Sequence, residues 1–304
     1  MYNKKTENNR IIIIGSNGML GQRLTDFYIN KNVKLKCVSN EKESFFEKVN
    51  YSQTDLLEPN GIKQIIEEFE PEIIINAAAY TAVDKAEIEK ELALAINSEA
   101  IKVINNACSK IGAHFINIST DYVFDGENGP YSETDQVNPV GYYGQSKLDG
   151  ERQLLSSSGS YTIVRTNVLY GPAKFGRPDF VKWVVNSLKS GEQIRIVTDQ
   201  INNPTYLDDL VNGIAAIAEK RSQGIYNIGG SEFLSRYDFT LKIADFFKLD
   251  KSLIKKIITA ELNQPAKRPL KSGLKIDKVI NELEYSPRSI NESLQLMQDE
   301  LKLV

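Results

Sequence analysis

The chain has 304 residues, 41% of them hydrophobic and 25% charged, with a formal net charge of -3 and a pI near 5.5. That length supports one large core, or a main domain with a smaller one attached, and the weakly acidic balance offers no basic field for nucleic acid or an anionic membrane. No run of about 18 apolar residues appears, and the opening M-Y-N-K-K-T-E-N-N-R lacks the apolar core of a signal peptide, so a soluble, cytoplasmic protein is expected. Cys37 and Cys108 lie in apolar segments without metal-ligand spacing and read as reduced core residues. The only histidine, His114, precedes an apolar strand. A His-based triad and a multi-histidine metal site are therefore not expected, and no metal is assigned.

In chain order, the first element is I-I-I-I at 11–14, an apolar run that reads as a buried parallel strand. G-S-N-G-M-L-G follows at 15–21 and leads into an amphipathic helix over 19–29. Gly15 permits the tight turn out of the strand, Gly18 lets the backbone approach a pyrophosphate, and Gly21 allows the helix to pack closely on the sheet. The free N–H groups of the helix start then face the phosphates, which makes Gly15, Asn17, Gly18, Met19, Leu20 and Gly21 a candidate dinucleotide site. A second strand over 33–38 ends in Cys37-Val38-Ser39-Asn40. An NAD-specific site usually carries an acid there, about 20 residues past the glycines. None stands at that point, Glu41 is slightly beyond it, and no arginine is present to clamp a 2′-phosphate. Ser39 and Asn40 can bond a hydroxyl or a phosphate oxygen, so use of both NADPH and NADH is expected, with a mild lean to NADPH. Asp55 and Leu56 suggest an adenine contact.

Strands expected over 72–76, 113–118, 161–165 and 224–228 alternate with helices over 61–69, 84–111 with a break, 142–155, 177–190, 207–219 and 235–247. This is the pattern of a doubly wound parallel sheet, a Rossmann-type α/β fold. Past residue 170 the pattern loosens and prolines accumulate, at 172, 178, 204, 265, 269 and 287. The expected division is a nucleotide-binding domain over 1–170, with returning segments near 200–230, and a smaller C-terminal α/β lobe, mainly substrate-binding, over 171–304. Three loops at strand ends carry the remaining chemistry. Asn76-Ala77-Ala78-Ala79-Tyr80 has small side chains against which a flat cofactor can lie. Ile118-Ser119-Thr120-Asp121-Tyr122 ends a strand in hydroxyls and a carboxylate. Arg165-Thr166-Asn167-Val168 leads toward the second lobe. Asn97 is a weaker signal on the long helix.

Tyr143 and Lys147, in Y-Y-G-Q-S-K-L-D-G-E, are four apart on an expected helix and so share a face. An unperturbed phenol titrates near ~10, and a neighbouring cation lowers that value, so the pair forms an acid/base device. Thr120 supplies a second donor for the carbonyl oxygen that Tyr143 would protonate. A second Y-x-x-x-K, Tyr170 and Lys174, contains Gly171 and Pro172 and is not a continuous helix.

These residues resemble the extended short-chain dehydrogenase/reductase superfamily and, within it, the dTDP-4-dehydrorhamnose reductase family. The resemblance is carried by G-S-N-G-M-L-G at 15–21, N-A-A-A-Y-T-A-V-D-K-A-E at 76–87, S-T-D-Y-V-F-D-G at 119–126, P-Y-S-E-T-D at 130–135, Y-G-Q-S-K-L-D-G-E at 143–151, V-T-D-Q-I-N-N-P-T at 197–205 and R-P-L at 268–270. It implies that Thr120, Tyr143 and Lys147 are catalytic, with Tyr80, Asp121, Tyr122, Asn167 and Arg268 as further substrate contacts. The implied reaction is hydride transfer from NADPH or NADH to C4 of a dTDP-linked 4-keto-6-deoxy sugar, giving dTDP-L-rhamnose. Val168 departs from the family, which often carries tryptophan there, and this leaves the sugar open. The V-L-Y-G wording also resembles the regulatory subunit of methionine adenosyltransferase, and an NAD-dependent nucleotide-sugar epimerase would use the same Tyr and Lys. The oligomeric state stays open, a homodimer among the options.

Overall fold

The structure is a computed structural model and describes residues 9–301. Strand β1 (Asn9–Ile14) holds the isoleucine run in the interior of a seven-stranded parallel sheet. It pairs on one side with β2 (Val33–Ser39), which pairs with β3 (Asn50–Gln53) at the edge. On the other side lie β4 (Ile73–Asn76), β5 (His114–Thr120), β6 (Tyr161–Thr166) and finally Gly224–Asn227. Both sheet faces are covered by helices, which is why β1 is apolar at every inward position. Ile11 and Ile13 pack with Leu20 and Leu24 of α1 (Met19–Ile29) and with Leu210 and Ile214 of the helix Leu207–Lys220. Ile12 and Ile14 face the opposite way, onto Ile62 and Ile66 of α2 (Pro59–Phe69) and Ile101 and Ile104. Each fully buried isoleucine contributes about 1.5–3 kcal/mol by leaving water.

Five expected helices, those over 19–29, 61–69, 142–155, 207–219 and 235–247, are present within a residue or two of their read bounds. The long 84–111 segment divides into α3 (Val83–Ala86), α4 (Lys90–Leu94), a π-helical turn over Ala95–Glu99 and α5 (Ala100–Ile111). The helix expected over 142–155 is α6 (Tyr142–Leu155). Sequence reading missed β3, whose Asn-Tyr-Ser-Gln lacks an apolar alternation because it is a half-exposed edge. It also missed the helices Asp277–Leu283 and Ile290–Leu301.

Beyond residue 170 the chain serves two cores. Tyr170, Val184, Leu188, Phe239, Leu294 and Met297 form a separate hydrophobic cluster, beside a short parallel pair, Ile194–Val197 with Ile254–Ile257. The helices Leu207–Lys220 and Asp277–Leu283 return instead to the sheet, where Val211, Ile217, Val279 and Leu283 join its core. His114 is buried with its ring nitrogens on the hydroxyls of Ser160 (2.7 Å) and Thr162 (2.9 Å), and burial lowers it to about 4. It is a satisfied neutral core residue. No helix among the described residues is long and apolar enough to cross a membrane.

Candidate active site

The chain runs outward from β1 through β2 to β3 and then reappears on the other side of β1 as β4. That reversal leaves a crevice at the C-terminal strand ends. A cleft of about 640 Å³ occupies it, running from the glycine loop past the ends of β4 and β5 to α6.

At the first end, Gly15 has φ +79, and a Cβ there would meet the Ala78 backbone nitrogen at 2.7 Å. The turn therefore lies directly on the Ala77–Ala79 segment, whose small side chains line the same cleft. Helix α1 starts at Gly18 with no side-chain cap and no acid in its first turn. The Gly18 N–H donates to the Gly15 carbonyl at 3.0 Å, and the helix's positive dipole end opens onto the cleft at Gly18, Met19 and Leu20, the arrangement that favours an anion. Two expected contacts act from behind. A Cβ on Gly21 would fall 2.0 Å from the Gly15 carbonyl oxygen, so Gly21 packs the helix onto the loop. Asn17 is buried, its amide donating to the Glu43 carbonyl (2.8 Å) and accepting from the Phe45 N–H (3.1 Å). Neither lines the cleft.

At the other end, buried polar partners fix α6. Asn97, in the π-helical turn, accepts from the Tyr80 N–H (2.9 Å) and donates to the Tyr80 carbonyl (3.1 Å) and the Ser146 hydroxyl (2.9 Å). Ser146 in turn donates to the Tyr143 carbonyl at 2.9 Å. Glu151 accepts from Arg165 (3.0 and 2.6 Å) and from Ser119 (2.5 Å), which ties α6 to β6 and to the residue before Thr120. Both charges are nearly inaccessible, at 0% and 3% side-chain exposure, and such a pair holds only when its remaining hydrogen-bonding capacity is met. Thr120, Tyr143 and Lys147 consequently face one space.

The electrostatics there differ from what spacing alone implies. Lys147 is 2% exposed and donates to the Ile118 carbonyl at 2.7 Å. Burial lowers its ammonium to about 8, with Glu151 opposing, so it remains a cation at neutral pH. The Tyr143 phenol is pushed up by burial, the Thr120 hydroxyl pulling the other way. Desolvation, not the lysine, dominates the phenol, which is held firmly protonated. The Thr120 hydroxyl donates to Asp121 at 3.1 Å and accepts the Tyr122 N–H at 3.2 Å. Its proton must turn from that carboxylate to reach a substrate oxygen. Asp121 itself is raised by burial to about 6, against hydrogen bonds from Ser272 and Thr120.

Of the residues read from sequence, Gly15, Gly18, Met19, Leu20, Ser39, Asp55, Leu56 and Ala77–Ala79 line the half of the cleft beside the glycine loop. Thr120, Asp121, Tyr122, Tyr143, Lys147 and Asn167 line the other half. Tyr80 and Arg268 do not reach it. The Tyr80 hydroxyl donates to Glu89, and Arg268 grips Asp84 with two bonds of 2.8 Å. Val168 does line the cleft, at the place where an aromatic ring would fill space. Reading by motif missed Arg236, which enters from the first turn of the helix Arg236–Phe246 with its guanidinium over the Phe180 ring at 4.8 Å. It named Glu41 but set it slightly beyond the expected point, whereas Glu41 joins the lining two residues past β2. A lone arginine at a helix start carries no pattern, whereas Glu41 was detectable by its closeness to the strand end.

A family model described as RmlD substrate binding domain matches residues 9–303. A dTDP-4-dehydrorhamnose reductase of Aggregatibacter actinomycetemcomitans is 33% identical over 298 residues, 94% of this chain and 97% of its own. The methionine adenosyltransferase 2 subunit beta of Danio rerio is 31% identical over 281 residues, 90% of this chain and 85% of its own. Among solved structures, a dTDP-4-dehydrorhamnose reductase from Bacillus anthracis in complex with NADP superposes with a TM-score of 0.85 at 32% identity, covering 96% of this chain and 99% of that one. The chain therefore belongs to the RmlD substrate binding domain family, alongside the dTDP-4-dehydrorhamnose reductases.

Proposed function

We propose that the protein is an NAD(P)H-dependent reductase of a nucleotide-linked 4-keto-6-deoxy sugar, turning dTDP-4-dehydrorhamnose into dTDP-L-rhamnose. One observation carries this reading: Thr120, Tyr143 and Lys147 face the same cleft that opens, at its far end, onto an uncapped helix start. A dinucleotide suits that far end, because the Met19 and Leu20 N–H groups of the helix start can take a pyrophosphate and the Ala77–Ala79 segment leaves room for a flat ring system. When bound, the reduced nicotinamide supplies the hydride.

The chain's own residues then manage the proton. Tyr143 donates its phenol proton to the C4 oxygen as that oxygen gains charge. The buried Lys147 ammonium supports the phenolate left behind, and the same group can reach ribose hydroxyls of the cofactor. Thr120, once its hydroxyl turns from Asp121, gives the developing oxyanion a second bond. Arg236 is the cleft's cation on the substrate side, and a guanidinium there suits the sugar's diphosphate. In this reading the sheet domain takes the dinucleotide, and the lobe built around Val184, Phe239 and Met297 takes the sugar nucleotide.

The similarity to a methionine adenosyltransferase subunit supports a second reading, a regulatory subunit that binds nucleotide without turnover. Incubating the purified protein with NADH or NADPH and dTDP-4-keto-6-deoxy sugar, while following nicotinamide absorbance, separates the readings. Stoichiometric oxidation is expected. Product without net oxidation would identify an epimerase, and tight nucleotide binding without product would identify the regulatory subunit.

A further inference from the structure

We propose that Glu41 makes the cleft selective for NADH over NADPH, by accepting the adenosine ribose hydroxyls and repelling a 2′-phosphate. The inference rests on the reading of the cleft as a nicotinamide-dinucleotide site. In a doubly wound sheet the adenosine ribose lies at the end of the strand next to β1, here β2. Counted along the chain, β2 ends at Ser39 and the acid arrives two residues late. The backbone path removes that offset. The Glu41 carbonyl accepts the Tyr51 hydroxyl, while Asn17 of the glycine loop binds the Glu43 carbonyl and the Phe45 N–H. These bonds fold the segment after β2 back against the glycine loop, and Glu41 becomes part of the cleft wall.

The carboxylate is also oriented. Its Oε2 accepts from the Ser39 hydroxyl and, at 3.5 Å, from the Asn17 amide. Among the described residues nothing donates to Oε1, so that oxygen retains its capacity to accept from a vicinal diol. The local charge balance points the same way. Asp55 is the other charged residue lining this half, and no Lys or Arg between Ser39 and Leu56 lines it, Lys42 included. The cations of the cleft, Lys147 and Arg236, belong to the catalytic half. A 2′-phosphate beside Glu41 would therefore meet a carboxylate with no Lys or Arg in that half of the cleft to compensate it, and like charges brought together are a source of discrimination. Because Glu41 is exposed, that repulsion is screened by salt.

Fluorescence titration of the purified protein with NADH and with NADPH, in the parent and in Glu41→Gln and Glu41→Ala, tests this without turnover. The parent is expected to bind NADH at least about 10-fold more tightly at low salt, with the ratio narrowing as salt rises. Both variants should bring the two Kd values within about threefold, chiefly through tighter NADPH binding. Equal binding by the parent, a preference for NADPH, or a ratio unmoved by either variant would overturn the role of Glu41 while leaving the reductase reading intact. Failure to bind either nucleotide would overturn both.

Discussion

At the half of the cleft proposed to be catalytic, Thr120, Tyr143 and Lys147 sit on regular elements and are set by buried partners. At the proposed adenosine half, Glu41 hangs on an exposed loop. Asn97, Glu151, Arg165 and Lys147 are all buried, and every one of them hydrogen-bonds across elements. Glu41, Glu43 and Phe45 are exposed, and a single buried amide, Asn17, draws their segment inward. The contrast follows from what each half must do. Proton transfer requires heavy atoms placed within hydrogen-bond reach, which demands a rigid scaffold. Choosing between two cofactors that differ by one phosphate requires only a charge near the right place, and a loop can supply it.

Substitutions should separate the halves. The largest effect is expected for Tyr143→Phe, which keeps the ring packed edge-on against Tyr122 but removes the acid. Turnover should fall by about 10²- to 10⁴-fold with nucleotide binding retained. A rate within threefold of the parent would remove Tyr143 from the mechanism. Next comes Glu151→Ala, which leaves Arg165 buried without its partner. Denaturant unfolding should show a loss of about 3–5 kcal/mol, against about 0.5 kcal/mol or less for Glu41→Ala on the exposed loop. Equal losses at the two sites would erase the distinction drawn between them.

Thr120→Val keeps the shape and deletes the hydroxyl, so kcat should drop by about 10-fold or more. A change confined to KM would reduce Thr120 to a ground-state contact. The pH profile sharpens the same half. Burial lowers Lys147 to about 8, so its charge is present at neutral pH and lost as pH rises through that value. The alkaline limb of kcat/KM, which reports the free enzyme, should therefore have a midpoint near pH 8, and activity that stays level well above it would show that the charge is not needed. The smallest effect is expected for Asn17→Ala. Freeing the loop should weaken the NADH preference without altering kcat, and a kcat loss instead would place Asn17 in the catalytic half.

The convergence of Thr120, Tyr143 and Lys147 on one cleft was readable in the sequence, because a helix period and a strand end are local properties. Tyr143 and Lys147 share a face whatever surrounds them, and Thr120 ends a strand whose apolar run is visible. The partners that hold them were not readable. Asn97 reaches Ser146 across 49 positions and Asp121 reaches Ser272 across 151, and no local spacing encodes such contacts. Ionisation was misjudged for the same reason: spacing puts a cation near a phenol, but desolvation depends on everything packed around both. Tyr80 and Arg268 lie within motifs that carry the family resemblance, yet their side chains turn to Glu89 and Asp84. At the proposed adenosine half, spacing counts residues while a loop can double back, so Glu41 was visible in the sequence but was set just outside the site.

The central claim, that this cleft transfers hydride to C4 with net reduction of a sugar nucleotide, is tested most directly by isotope transfer. Nicotinamide cofactor deuterated at the transferring position should place one deuterium on C4 of the product sugar, visible by mass spectrometry and proton NMR, in step with cofactor oxidation. Product lacking deuterium at C4, or no product despite saturating nucleotide, would contradict it.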